Sequence, residues 1–245
     1  MMSHATKAKF FAVAGVALLL VAGYLWLGFD RSSFYTDHDS LQRDAQSAQL
    51  REILWSDPEQ LPEAINSPLS EADPAIAADG TRLYFSRVTE RGDTDLFASQ
   101  RTASGWSDPE PLAINTLDNE RDPSLDADGT LYFASDRPGG LGGFDIWTLP
   151  GGANEPVAMG ERVNSTADDH GPTVGRVRAA TTDEANEAEG PAHRRTMLAF
   201  SSDRDGGNAD LYWLPLGGSK PPERLDSIAS AASELSPAFS PLGDF

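Results

Sequence analysis

A segment of about 50 residues recurs along the chain, and this repeat constrains the fold more than any other feature. The stretch WSDPEQLPEAINSPLSEADPAIAADGTRLYFSR, which begins at Trp55, returns as WSDPEPLAINTLDNERDPSLDADGTLYFASDR from Trp106. A third copy contains Pro172 and the run LAFSSDR from Leu198, and a fourth begins at Ser236. Recurrence at a fixed period is typical of repeat architectures, in which each unit buries its apolar face against its neighbours.

Each copy divides into four short strands. The first ends in an Asp-Gly turn of the kind that tight hairpins require, and the second carries Leu and Phe two positions apart on one face. The third opens with an aspartate, and the fourth contains Pro, which belongs on an edge strand. The residues to which we assign structural roles in the repeat are Asp79, Gly80, Asp128, Gly129, Arg137, Asp145, Arg204 and Asp210. The period and the strand pattern predict an all-β fold over residues 55–245, a β-propeller with three full four-stranded antiparallel blades and the start of a fourth.

The third copy is longer than the others because of an insertion at residues 175–195. The insertion is polar and has no Phe, Tyr or Trp, which predicts a mobile surface loop. The fourth copy stops at Phe245, where its second strand is expected to begin. An open ring of blades leaves strand edges exposed, so we expect the chain to be part of a longer protein.

The N-terminal region predicts a membrane anchor. Residues 10–29 carry no charge, and as a helix they would extend over about 30 Å, the thickness of a bilayer hydrocarbon core. Lys7 and Lys9 precede them, so the positive-inside rule places residues 1–9 in the cytoplasm and the repeats outside. A cleaved signal peptide is the alternative, but its apolar region is usually shorter. Residues 30–54 are predicted to form a partly helical juxtamembrane spacer.

Composition excludes several classes of function. The net charge of −19 disfavours nucleic-acid binding, which needs a basic surface, and leaves the N-terminal helix as the membrane contact. The chain has no cysteine, and therefore no disulfide, thiolate metal site or cysteine nucleophile. It also lacks the sequence patterns of a GxSxG nucleophile elbow, a Walker loop and an HExxH helix. We therefore expect a protein that is not an enzyme.

Copies such as DPSLDADGTLYFASDRPGGLGGFDIW resemble the WD-like propeller repeat of TolB-type periplasmic proteins. The resemblance covers residues 55–245 and implies a propeller that usually has six blades. It also implies a place in the cell envelope, because the same repeat is common in envelope proteins. Some propellers of this kind precede serine hydrolase domains, so the resemblance is more specific for the fold than for the function.

One acidic residue stands three positions before the recurring Pro in every copy. These acids are Glu71, Glu120, Asp169 and Glu234. Strand starts converge on the axis of a propeller, so the acids could form a ring at the channel mouth, together with His170. Such a ring would attract Ca²⁺, the only cofactor candidate, or a basic segment of a partner protein. No metal site is otherwise expected, and a solvated loop histidine is the alternative for His170.

The alternative for the acids is structural, and the sequence favours it because a polar residue that occurs once per repeat usually serves the repeat. Each acid would then pair with a recurring arginine, Arg137 or Arg204, and tie adjacent blades together. Arg87 of the first copy stands two positions closer to its Phe than the other two arginines do, so this lattice is expected to be irregular there.

Taken together, these patterns favour a single-pass protein of the inner (plasma) membrane with a periplasmic propeller. Its expected role is a protein–protein interaction module of the cell envelope that selects partners with basic segments. One alternative is the substrate-gating propeller of a longer serine hydrolase or peptidase. Another is a propeller that senses a ligand or Ca²⁺.

Overall fold

A computed structural model describes residues 58–178 and 194–239 of the chain. The predicted N-terminal segment 1–9, anchor 10–29 and spacer 30–54 lie outside these residues. Within the two described ranges, no helix is long and apolar enough to cross a membrane. The described repeats belong to one compact unit that begins at Gln60. They contain thirteen β-strands and no α-helix, which confirms the prediction of an all-β fold.

The strands form three successive antiparallel sheets. Sheet 1 consists of β1 (Glu71–Ile76), β2 (Arg82–Val88), β3 (Thr94–Thr102), β4 (Gly105–Trp106) and β5 (Glu110–Pro111). Sheet 2 consists of β6 (Glu120–Leu125), β7 (Leu131–Ser135), β8 (Asp145–Leu149) and β9 (Val157–Ala158). Sheet 3 consists of β10 (Asp169–Arg178), β11 (Arg194–Ser202), β12 (Asp210–Pro215) and β13 (Glu223–Arg224). Each sheet corresponds to one sequence repeat, and β4 is a hairpin extension found only in sheet 1.

The strand order within each sheet follows the chain, as the repeat predicts. In sheets 1 and 2 the first two strands are joined by the predicted Asp-Gly turns, in which Gly80 and Gly129 have φ values of 70° and 82°. The fourth strand is only two residues long in every sheet, consistent with Pro at or beside it. The predicted loop at 175–195 is corrected in part, because residues 175–178 continue β10 and pair with residues 194–197 of β11. The insertion therefore lengthens a hairpin of sheet 3.

The core lies between the sheets. The Leu and Phe of each second strand are buried, and they pack with residues of the neighbouring strands in three clusters. One cluster joins Leu96 of sheet 1 to Phe133 of sheet 2, and another joins Ile146 of sheet 2 to Phe200 of sheet 3. Apolar contact between successive repeats is therefore the main force that holds the stack together.

The first strand of each sheet contains a bulge just before the recurring Pro. The pairing register shifts there in all three sheets. Asp73, Asp122 and Gly171 occupy the bulge with φ values of 55°, 55° and 62°, and Ser236 of the fourth copy has a φ of 54°. Asp and Gly tolerate this left-handed conformation better than other residues do. Residues 234–239 of the fourth copy lie against sheet 3 without forming a strand, since no second strand is available among the described residues.

Candidate functional site

The recurring acid and arginine form an ion pair in each of the three sheets. The acid begins the first strand, and the arginine lies at or just beyond the end of the second strand. The three pairs are Arg87 Nε–Glu71 Oε1 at 2.8 Å, Arg137 Nη2–Glu120 Oε1 at 3.1 Å and Arg204 Nη2–Asp169 Oδ1 at 2.5 Å. The pairing is the alternative that the sequence favoured, but each pair lies inside one sheet and does not tie adjacent sheets together.

Each of these arginines also lies over two aromatic rings, which belong to the second and third strands. Arg87 lies 5.2 Å from the centroid of Phe85 and 4.8 Å from that of Phe97. The corresponding pairs of rings are Phe133 and Trp147 for Arg137, and Phe200 and Tyr212 for Arg204. Attraction between the guanidinium and the ring faces adds to the ion pair.

The expected irregularity at Arg87 is found in the strand position of the arginine, but the ion pair forms all the same. Arg87 stands directly opposite Glu71 in the strand register, where sheet 2 has Ser135 opposite Glu120. In sheet 2 the serine instead donates a hydrogen bond to Glu120, and the arginine reaches the acid from two residues further along the chain. A long, flexible side chain can bring its charged group to the same point from either position, so the spacing in the sequence does not determine the geometry.

The four recurring acids do not form an open ring in the structure. Glu120 and Asp169 have no exposed surface, so neither can contact a partner in this conformation. Each acid also accepts a hydrogen bond from the hydroxyl four residues earlier in the chain. The hydroxyl–acid pairs are Ser67–Glu71, Thr116–Glu120, Ser165–Asp169 and Ser230–Glu234. Each of these carboxylates is therefore bound by at least one group of its own repeat.

Successive sheets are connected instead through the residue before each acid. The Asn119 side chain accepts a hydrogen bond from the Thr94 amide at 3.1 Å, and Asp168 accepts one from the Phe144 amide at 2.9 Å. Ser233 accepts the equivalent bond from Ala209 at 3.3 Å. In each case the donor is the residue directly before the recurring aspartate of the third strand in the preceding sheet, which is Asp95, Asp145 or Asp210. The prediction that the recurring acids link adjacent blades is therefore corrected: the residue directly before each acid makes the link.

A second group of acidic residues lies at the bulges of the first strands. Ser86 Oγ donates a hydrogen bond to Asp73 Oδ2 at 2.9 Å and accepts one from the Asp122 amide at 3.2 Å. Asp122 Oδ2 in turn accepts a hydrogen bond from the Gly171 amide at 2.9 Å. These bonds connect the first strands of all three sheets in one chain of contacts. We refer to Asp73, Asp122 and the groups that contact them as the bulge cluster.

The bulge cluster includes His170 and Arg121. His170 lies in β10 with Nδ1 3.9 Å from Asp122 Oδ2, so the alternative of a loop histidine is corrected. Arg121 Nε lies 3.7 Å from the same oxygen, while its guanidinium stacks on the Phe144 ring at 3.7 Å. Neither of these two side chains is within hydrogen-bonding distance of Asp122. Among the described residues, Asp73 has no ion pair.

Asp122 is the member of the bulge cluster whose carboxyl group has a perturbed pKa. Its side chain is only 16% exposed. Burial raises the pKa of the Asp122 carboxyl above its ordinary value, and the negative charge of Asp73 adds to this effect. Perturbed carboxyl groups of this kind concentrate at functional sites, although structural networks also produce them.

Sequence reasoning missed Asp73 and Asp122 as site residues. The available signal was the Asp-Pro pair that occurs in the first two copies and becomes Gly-Pro in the third and Ser-Pro in the fourth. All four residues share a left-handed backbone, which a sequence does not display. The bulge turns these positions away from the regular alternation of side chains that the strand pattern assumes.

The other predicted structural residues occupy the repeat as follows. Asp79 Oδ1 accepts a hydrogen bond from the Thr81 amide and caps its turn, whereas Asp128 is exposed. Asp145 is buried and accepts hydrogen bonds from the amides of the glycine-rich loop before it. Asp210 pairs with Arg224 at 3.2 Å. No group of three or more His, Cys, Asp or Glu side chains that could hold a metal ion is found within residues 58–178 and 194–239.

Asp122→Asn is expected to stabilise the protein at neutral pH, by about 1 kcal/mol. Asn retains an acceptor for the Gly171 amide and tolerates the positive φ, while it removes the buried charge. Because folding raises the pKa of Asp122, the stabilising contribution of its proton is fully present below the ordinary pKa of about 4 and is lost as the pH rises through the folded value. Thermal unfolding should therefore separate the variant from the wild type at pH 7 and not at pH 3. An equal difference at both pH values would contradict this assignment.

Comparisons with known proteins give similarities of structure. No protein-family model and no curated protein sequence matches the chain. A structure of TolB from Acinetobacter baumannii matches with 17% identity and a TM-score of 0.44, covering 65% of this chain and 33% of that one. A putative TolB from Agrobacterium tumefaciens matches with 18% identity and a TM-score of 0.47, covering 69% and 50%. A puromycin-hydrolyzing peptidase from Mycobacterium tuberculosis matches with 14% identity and a TM-score of 0.37, covering 68% and 29%.

The assignment of the fold rests on the three repeated sheets themselves. The two TolB structures bear the family name that the repeat sequence had suggested. The matched region spans a third of one TolB chain and half of the other. In its repeated four-stranded sheets, the chain is similar to TolB structures.

Proposed function

We propose that the three sheets are consecutive blades of a β-propeller that acts as a non-catalytic binding module of the cell envelope. In this proposal, residues 10–29 anchor the chain in the inner membrane and the blades lie on the periplasmic side. The repeat sequence, the four-stranded sheets and the uncharged N-terminal segment support this assignment. The partner is a protein with a basic segment.

The proposal rests on the difference between two sets of acids, those paired with arginine and those at the bulges. The recurring acids Glu71, Glu120 and Asp169 are neutralised inside their own sheets by arginine. Asp73 and Asp122 lack such a partner at hydrogen-bonding distance and remain partly exposed at the bulges. Keeping two carboxylates close together is unfavourable unless a cation joins them. A lysine or arginine side chain of a partner would supply that cation.

A binding titration with a cationic probe tests the proposal. The full chain in a zwitterionic detergent is titrated with a short arginine-containing peptide, and with the same peptide carrying neutral citrulline. The wild type should prefer the arginine peptide. Asp73→Asn together with Asp122→Asn should weaken its binding at least tenfold, because the variant keeps the hydrogen bonds and removes both charges.

The matched control is Asp108→Asn together with Glu110→Gln. Both residues are exposed, and the variant changes the net charge by the same amount. Its affinity for the arginine peptide should stay within about twofold of the wild type, as expected for screened surface charges. An equal loss of affinity in the two double variants would mean that the peptide responds to overall acidity, and the proposed site would be rejected.

A further inference from the structure

In sheets 1 and 2 an asparagine side chain forms hydrogen bonds with the outward-facing backbone N–H and C=O of one residue in the third strand. Asn115 Oδ1 accepts a hydrogen bond from the Leu96 amide at 3.0 Å, and its Nδ2 donates one to the Leu96 carbonyl at 2.9 Å. Asn164 makes the same two bonds with Ile146, at 2.9 and 3.0 Å. In both sheets a primary amide therefore pairs with the backbone as an additional strand would.

Sheet 3 lacks this asparagine. Asn115 and Asn164 each precede the hydroxyl residue that binds the acid four positions later, Thr116 and Ser165 respectively. Ser230 makes the same bond to Glu234, so the residue before it, Ala229, stands at the asparagine position. The methyl group of alanine cannot form either hydrogen bond.

The backbone that the asparagine would bind is retained in sheet 3. The Leu211 carbonyl accepts a hydrogen bond from the Leu225 amide at 2.9 Å, on the side away from β11. The N–H and C=O groups of one residue in an antiparallel strand point to the same side, so the Leu211 N–H faces outward as well. No acceptor for this N–H is found among the residues that the structure describes. It corresponds to the amides of Leu96 and Ile146, which asparagine binds in the other sheets.

An open cavity of about 460 Å³ lies beside Asp210, the residue before Leu211, and Ala229 forms part of its wall. The remaining wall is polar and includes Ser230, Asp210 and Arg224. Arg224 is already paired with Asp210 at 3.2 Å and with Asp226 at 2.6 Å. One arginine against two aspartates leaves one negative charge uncompensated in the wall, so the cavity disfavours an anionic group.

We propose that this cavity binds a primary carboxamide, the side chain of an Asn or Gln residue in a protein partner. The carboxamide oxygen accepts the hydrogen bond of the Leu211 N–H, and its NH₂ group donates to the Leu211 carbonyl. Asn115 and Asn164 make these two bonds within the chain. A carboxylate has no N–H to donate and would meet Asp210 and Asp226. The site is separate from the bulge cluster and does not depend on the function proposed for that cluster.

Backbone amide chemical shifts of the full chain in detergent test the proposal. The probes are N-acetyl-asparagine methylamide and its aspartate counterpart at pH 7. The asparagine probe should shift the Leu211 amide resonance with an affinity in the range of about 1 mM, and the aspartate probe should bind at least tenfold more weakly. Equal responses to the two probes, or a response that leaves Leu211 unchanged, would overturn the proposal.

The variant Ala229→Asn provides the second arm. Its own side chain should occupy the cavity, raise Tm by about 2–4 °C and abolish the response to the asparagine probe. Ala231→Asn, a nearby exposed position, is the matched control and should retain the response. An unaltered response of Ala229→Asn to the probe would contradict the proposed site.

Discussion

Replacement of Glu120 by alanine is expected to lower the free energy of unfolding by about 3–5 kcal/mol. Glu120 has no exposed surface and accepts hydrogen bonds from the Thr116 amide, the Thr116 hydroxyl and the Ser135 hydroxyl. Its removal leaves Arg137, itself 9% exposed, as a buried charge without its counter-ion. Taking away one partner of a buried pair costs more than the pair contributes, because the remaining charge stays desolvated.

Denaturant-induced unfolding of the full chain measures the effect of Glu120→Ala. Glu120→Gln keeps the shape and part of the hydrogen bonding, and should lose less stability than the alanine variant. Glu110→Ala is the control at an exposed acid and should change stability by no more than about 0.5 kcal/mol. A loss below about 1 kcal/mol for Glu120→Ala would show that the buried ion pair is absent in solution.

Gly142→Ala is expected to cost about 1–3 kcal/mol, the range seen when extra atoms are forced into a packed site. A Cβ atom at position 142 would lie 2.0 Å from the Ala167 carbonyl oxygen and 2.9 Å from the Ser165 carbonyl oxygen. Both obstacles are backbone atoms of the segment that leads into β10, so they cannot move aside as a flexible side chain would. The substitution therefore separates the glycine-rich loop of sheet 2 from the next repeat.

Gly218→Ala is the matched control for Gly142→Ala. The nearest atom to its Cβ would lie at 3.6 Å, which is an ordinary contact distance. Gly218→Ala should be neutral or slightly stabilising, because alanine restricts the unfolded chain. Thermal unfolding of the two variants compares them directly. Equal stability of both variants would mean that the loop does not dock on the following repeat.

The sequence predicted the strands well because their signals are local. The Asp-Gly turns and the alternating Leu and Phe of the second strand, such as Leu131 and Phe133, require only neighbouring residues to be read. The ion pair of each repeat was also accessible as an alternative, since acid and arginine recur together. The extension of β10 and β11 into the polar insertion was not predicted, because edge-exposed hairpins carry little apolar periodicity.

The candidate site depends on features that the sequence does not display. Asp73 and Asp122 differ from the recurring acids by only two positions, and the bulge decides which set lacks an arginine at hydrogen-bonding distance. The equivalence of Arg87 and Arg137 likewise arises from side-chain reach, not from spacing. The cavity beside Ala229 could be recognised only when the hydrogen bonds of Asn115 and Asn164 were known. In each case a contact between distant strands carries the information.

A double-mutant cycle on Glu120 and Arg137 most directly tests the claim that the recurring acids serve their own sheets and leave binding to the bulge cluster. The cycle compares the unfolding free energies of the wild type, Glu120→Ala, Arg137→Ala and the double variant. We predict a favourable coupling energy of about 2–3 kcal/mol. A coupling near zero would contradict the account and return Glu120 to the candidates for a binding site.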